Sequence, residues 1–269
     1  MLRSGETIEK APRPKVYAIT SGKGGVGKTS IAVNLSLTLS CAGMRVLLID
    51  ADMGLANVDI MTGVKAASTI EEVLKGDASI FEALADGPEN LTILSAGSGI
   101  GINREMNGEE SNHFKKELLK LEKAFDLIFI DTGSGISANV VDFIFMAEEV
   151  IVVMTPEPTA FSDAYAMVKV VTLEKPVMQV GVIVNMVRNE GEAEKISEKF
   201  GEIVQRFLDK HITYRGCVIK DSIVTESIMR QTPLALYAEK SPPMQSLREI
   251  ARNILGLNTN VLEKGKKII

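Results

Sequence analysis

Four runs of this chain are apolar on both faces: RVLLID at 45–50, DLIFID at 126–131, EVIVVMT at 149–155 and QVGVIVN at 179–185. A strand that does not alternate polar and apolar residues needs cover on both sides. That is the pattern of a parallel sheet held between two layers of helices. A β-branched run at 15–21, KVYAITS, precedes a glycine-rich turn. Ile31, Leu35 and Leu39 predict a helix from 28 to about 42, stopped by Gly43. Phe114, Leu118 and Leu121 put one stripe on 111–125, and 163–171 and 192–211 are also amphipathic. Strand and helix alternate, so the expected fold is a doubly wound, mostly parallel α/β sheet with helices on both faces.

No repeat and no shift in composition interrupts the chain after Lys15. One domain is expected over 15–257, after a polar leader at 1–14 that ends in two prolines and before a basic, apolar tail at 258–269. The 269 residues can bury a core that needs no disulfide staples. Lys and Arg total 30 against 35 Asp and Glu, a net charge of −5, which weighs against nucleic-acid binding through bulk charge. No apolar run reaches about 18 residues, the length of a membrane-spanning helix. The leader has no apolar core of the secretory kind. Cys41 and Cys217 form no CxxC pair, so a reducing cytoplasm is expected, with both thiols in the core. His113 and His211 fall in helix-like segments without Cys or His nearby, which disfavours a metal site.

The chemistry concentrates in GKGGVGKT at 22–29, which satisfies G-x-x-x-x-G-K-[ST] between a strand and a helix. Small residues let backbone N–H groups turn inward around a phosphate, and the helix N-terminus adds its positive end. The cradle is expected from Gly22, Lys23, Gly24, Gly25, Val26, Gly27, Lys28, Thr29 and Ser30. Lys28 is expected to bridge the β and γ phosphates, and the Thr29 hydroxyl to ligate Mg²⁺. ATP or ADP with Mg²⁺ is therefore the expected ligand.

Lys23 is not demanded by the minimal motif. KGGVGKT is what the deviant Walker A group carries, and on it the chain resembles the MinD/ParA family of SIMIBI-class ATPases. The resemblance runs from about Lys15 to Gly256. It implies an ATP-dependent homodimer in which Lys23 reaches the partner's nucleotide and couples dimerisation to slow hydrolysis.

Two acid-bearing segments complete the site. RVLLID delivers Asp50, and Asp52 follows it. A carboxylate at a strand's C-terminal edge lies on the ligand side of such a sheet. Asp52 is expected to orient the attacking water, and Asp50 to help hold Mg²⁺ through its water shell or, alternatively, only to cap a turn. DTGSG at 131–135 places Asp131 as a Walker B acid behind the metal, with Gly133 and Gly135 free to shift when the γ-phosphate leaves. The resemblance implies that Asn185 hydrogen-bonds the adenine and that residues near Asp221 close the base pocket. It also places 155–165 beside the nucleotide and the dimer partner. Asp163 in that segment is by residue type a candidate N-cap of the helix that follows, as the alternative to a role in the site.

Within the family, DADMGLANVDIMTG, IDTGSGIS and MTPEPTAFSDAYAMVKVV most resemble the FlhG/FleN (YlxH) branch, which controls flagellar number and placement. The division-site selector MinD is the second reading, and a nucleotide-dependent scaffold or transcription-regulator antagonist with little hydrolysis the third. The branch implies the SRP-type GTPase FlhF or a flagellar transcription activator as partner. Residues 1–14 lack the D-Q-A-x-x-L-R motif through which such proteins stimulate FlhF. The positions of Cys41 and Cys217 do not match the cluster ligands of the nitrogenase iron protein, and Mrp-type carriers need a CxxC.

Leu247, Ile250, Ile254, Leu257 and Val261 can share a helical stripe, followed by Lys264, Lys266, Lys267, Ile268 and Ile269. The first half is expected to be the last core helix, because Gly256, Asn258 and Asn260 disfavour a continuous one. The remainder predicts weak, salt-sensitive peripheral contact with the inner face of the cell membrane.

Overall fold

The computed structural model describes residues 13–53, 57–96 and 105–256. The strands are β1 (Lys15–Ser21), β2 (Val46–Ala51), β3 (Leu84–Asp86), β4 (Thr92–Leu94), β5 (Leu127–Ser134), β6 (Glu149–Met154), β7 (Gln179–Val187) and β8 (Thr213–Ile219). They form one sheet in the order β3-β4-β2-β5-β1-β6-β7-β8. All neighbours pair parallel except β3 with β4. The expected strands are the contiguous centre of this sheet. β3 and β4, each three residues long, went unpredicted. Cys217 is expected in a late strand and lies in β8, whose bounds the sequence leaves open because its first part is half-exposed and Gly216 sits in its middle.

Every residue of β2 and of β6 is buried, as strands without alternation require. The helices are α1 (Lys28–Cys41), α2 (Asn57–Thr62), α3 (Ile70–Lys75), α4 (Gly108–Leu119), α5 (Ala138–Ile144), α6 (Pro158–Glu174), α7 (Glu190–Leu208), α8 (Ser222–Met229), α9 (Leu234–Tyr237) and α10 (Pro242–Leu255). Val46 and Leu48 of β2 face a core shared with α1 and α10. Leu47 and Ile49, one residue out of phase, face α3, α4 and α5. Further along that second face, β6 and β7 pack against α6 and α7. The doubly wound single-domain fold is thus as expected.

Several boundaries differ. α4 begins at Gly108, because Asn107 caps it by accepting from the Glu109 and Glu110 amides at 2.9 Å, and it ends at Leu119 instead of 125. α6 begins at Pro158, whose fixed φ suits the first helical turn. Asp163 therefore lies inside that helix and does not cap it. α7 stops at Leu208 because Asp209 turns left-handed at φ 50°, which leaves His211 in the following loop. Cys41 is exposed at the end of α1, so it is not a core residue as expected; Cys217 is buried. Leu247, Ile250 and Ile254 are buried on α10, as expected. Gly256 ends that helix in the left-handed region at φ 67°. Residues 1–12 of the leader and the tail from 257, including Leu257, Val261 and its lysines, lie outside the described residues. Among the described residues no helix is long and apolar enough to cross a membrane.

Candidate nucleotide-binding site

The site lies where β1 hands the chain to α1. β1 sits between β5 and β6, so the turn after it emerges at the C-terminal edge of the sheet, beside the ends of β5 and β6. Gly22 and Gly27 are required there for different reasons. A Cβ on Gly22 would lie 2.1 Å from the Asp163 carbonyl oxygen, so the loop packs directly onto the backbone of α6. Gly27 has φ +86°, and its Cβ would lie 2.3 Å from the Asn185 amide nitrogen. α1 opens immediately afterwards, with the Ile31 amide donating to the Gly27 carbonyl at 3.0 Å.

A cleft of about 770 Å³ opens over this turn. Gly24 to Ser30 line its floor. Asp52, Ser134, Asn185 and Asp221 reach its walls. The structure thus gathers most of the expected cradle and switch residues in one cavity, including Val26, Lys28 and Thr29. Gly22, Lys23, Asp50 and Asp131 are not part of its lining.

Lys28 is buried, and its Nζ donates to Asp131 Oδ1 at 3.0 Å. Burial pushes the Asp131 carboxyl above its usual range, against the pull of the Lys28 charge. Asp131 Oδ2 is buried and accepts no hydrogen bond among the described residues. An orphaned carboxylate oxygen beside a phosphate loop suits the water shell of a hard divalent cation. The neighbouring strand brings Asp50 opposite Asp131. Asp50 Oδ1 accepts from the Asp52 amide at 3.1 Å and Oδ2 from the Val58 amide at 3.2 Å. Both of its oxygens therefore serve the turn, which is the capping alternative. Burial, then the charge of Asp131, push its carboxyl well up.

Asp52 is half-buried at the cavity wall. Its Oδ1 would be 3.4 Å from a Cβ at Gly133, so the two switch segments meet here. Burial raises its carboxyl above the ordinary range, while Lys28 pulls it down. Asp221 caps α8 by accepting from the Ile223 amide at 2.9 Å. Asn185 is buried at the end of β7, and its amide donates to the Val26 carbonyl at 2.7 Å. The amide thus faces the phosphate loop.

Lys23 points away from the cradle. Its Nζ donates to Glu157 Oε2 at 2.8 Å and to Thr159 Oγ1 at 3.2 Å, all three at the surface. The Glu157 carboxylate holds the lysine above its ordinary pKa. Nothing in the sequence marked Glu157 or Thr159 as its partners, since they lie 134 and 136 positions away. His113 lies in α4 and His211 beyond α7. No group of three or more His, Cys, Asp or Glu side chains suited to a metal occurs among the described residues.

A glycine-rich turn lining a cavity, a buried cation and a helix N-terminus make a phosphate the ligand this geometry suits. The class so defined is a P-loop nucleotide-binding protein of the doubly wound type. A sequence family described as an AAA domain matches residues 14–179. The chain is 32% identical over 240 residues to the antiactivator FleN of Pseudomonas aeruginosa, covering 89% of this chain and 86% of that protein. It is 34% identical over 253 residues to the flagellum site-determining protein YlxH of Helicobacter pylori, covering 93% and 84%. The septum site-determining protein MinD of Pyrococcus horikoshii, solved with Mg-ADP, superposes with a TM-score of 0.72 at 25% identity, over 90% of this chain and 96% of that one. The chain belongs to the MinD/ParA family of ATPases.

Proposed function

We propose that the protein is a slow, Mg²⁺-dependent ATP hydrolase that works as an ATP-driven dimerisation switch controlling flagellar number or placement. The observation that carries the switch is the position of Lys23. A lysine inside the phosphate-loop sequence that does not enter the cradle, but pairs at the surface with Glu157 and Thr159, can exchange those partners for a nucleotide in a second copy. The likeness to FleN and YlxH supports the flagellar role, and the MinD likeness keeps division-site selection as the second reading.

In this reading Gly24 to Ser30 bind the phosphates, and Lys28 moves from Asp131 to the β and γ oxygens. Thr29 and Asp131 hold Mg²⁺, with Asp50 behind them fixing the turn. Mg²⁺ supplies neutralisation of phosphate charge. Asp52 orients the water. Asn185 and Asp221 border the base. FlhF or a flagellar transcription activator is the proposed partner class, and the cytoplasm the proposed compartment. Phosphate release from ATP with and without Mg²⁺ tests the hydrolase. Counting flagella and mapping septa in cells lacking the gene separates the two cellular readings.

Lys23→Ala is expected to leave ATP affinity within about threefold, because a solvent-exposed pair with Glu157 contributes little to the cradle. Its ATP-dependent dimer and its hydrolysis should both fall. A loss of ATP affinity as large as that of Lys28→Ala would overturn the cross-dimer role.

The tail supports a weak membrane contact of the dimer. Lys264, Lys266 and Lys267 contribute on the order of 1 kcal/mol each near anionic lipid, and two tails act together. Liposome co-sedimentation should therefore require ATP and fall with salt. Equal sedimentation of a chain ending at Leu257 would remove the tail from the mechanism.

A further inference from the structure

Asn185 is expected, from the family resemblance, to read the base. Its contacts point elsewhere. β7 pairs with β8 at Asn185 and Val218, and the register then slips before Val187. Met186, between them, takes φ 60°, an uncommon conformation for a side chain of that size. The slip turns the Met186 amide back to donate to Asn185 Oδ1 at 2.8 Å. With the oxygen so engaged, the Asn185 nitrogen faces the loop and donates to the Val26 carbonyl at 2.7 Å. The fit is close enough that a Cβ on Gly27 would collide with that nitrogen at 2.3 Å.

Resting on the nucleotide-binding reading above, we infer that Asn185 is a positioning residue for the phosphate loop. It acts as a strut from the end of β7 to the Val26–Gly27 peptide. A peptide unit is planar and trans, so its carbonyl and its N–H point in opposite directions. Fixing the Val26 carbonyl on Asn185 therefore fixes the direction of the Gly27 N–H. That N–H belongs to the loop that must surround the phosphate before any base is read. One N–H and one lone pair of Asn185 remain for a base. Its role in the loop does not depend on them.

The test uses the full chain and inorganic tripolyphosphate with Mg²⁺, a probe with no base, beside ATP and GTP. Loss of one hydrogen bond at a buried carbonyl corresponds to about a tenfold change in affinity. Asn185→Ala is expected to weaken tripolyphosphate by that factor and to weaken ATP and GTP at least as much, any change in the ATP-to-GTP ratio reporting the separate contact with the base. Without any ligand, hydrogen exchange of the backbone amides at 24–28 should quicken in this variant. Asn185→Asp keeps the acceptor for Met186 and the volume but sets an oxygen against the Val26 carbonyl. It should weaken tripolyphosphate at least as much, and it carries the test if the alanine variant does not fold. Wild-type tripolyphosphate affinity and wild-type loop exchange in a variant that has lost ATP would overturn the strut and leave Asn185 as a base reader. If the wild-type chain binds neither ATP nor tripolyphosphate, the nucleotide reading fails instead, and the ligand-free exchange rates still decide the strut.

Discussion

Lys28→Ala should lose ATP binding by on the order of a thousandfold. The ammonium is the only cation of the loop that the structure buries beside the cavity floor, at 7% exposure. It stands at the start of α1, in the lining of the cavity that the proposed phosphates would enter. Hydrogen bonds from a charged donor contribute about 1.5–3 kcal/mol each, and two of them to phosphate give roughly that loss. Truncation also leaves Asp131 buried without its partner, and breaking one side of a buried pair costs about 3–5 kcal/mol when the charge stays. Lys28→Met is the better control for folding, since it keeps the apolar stem that packs in the loop. Isothermal titration of the folded methionine variant decides the matter. Micromolar ATP binding there would remove Lys28 from the phosphate site.

What the sequence made legible follows from how local each signal is. β2 and β6 announce themselves because every residue is buried, and burial on both faces leaves an unbroken apolar run. The phosphate loop is legible because its function is written in consecutive residues. β3 and β4 are not legible, since three residues carry no periodicity. Taking the acid at 163 as the cap puts the start of α6 too late. Pro158 is the stronger signal, because it cannot donate an N–H and needs none at a first turn. Residue type alone puts Cys41 in the core, although it ends a helix whose last turn reaches solvent.

In the site, the motifs single out residues that the fold gathers around one cavity, but not the contacts those residues make. Lys23 to Glu157, Lys28 to Asp131 and Asn185 to Val26 join positions more than 100 apart. Only the topology brings them together, by setting β1 between β5 and β6 and β7 beside β6. Gly22 shows the same limit. Its need for no side chain comes from the backbone of α6 at Asp163, which no motif rule contains.

Asp52→Ala should still bind ATP within about threefold of wild type yet lose hydrolysis by about 10²–10⁴-fold, the usual range for removing a positioned general base. The carboxylate lines the cavity but touches neither Lys28 nor the glycine turn through a hydrogen bond among the described residues, so phosphate binding does not depend on it. Its surroundings suit work on water. It meets Gly133 at the junction of the two switch segments, and burial makes it a stronger base than an ordinary surface carboxylate, with Lys28 limiting the effect. Its backbone amide is held by Asp50, so truncating the side chain leaves the turn in place. If hydrolysis dissolves the dimer, a variant that binds but does not cleave must accumulate it. Size-exclusion chromatography in ATP should therefore show a larger dimer fraction than wild type, while the ADP profile stays unchanged. A monomer in ATP with hydrolysis abolished would separate catalysis from the switch, and normal hydrolysis would move the water-orienting role to another residue.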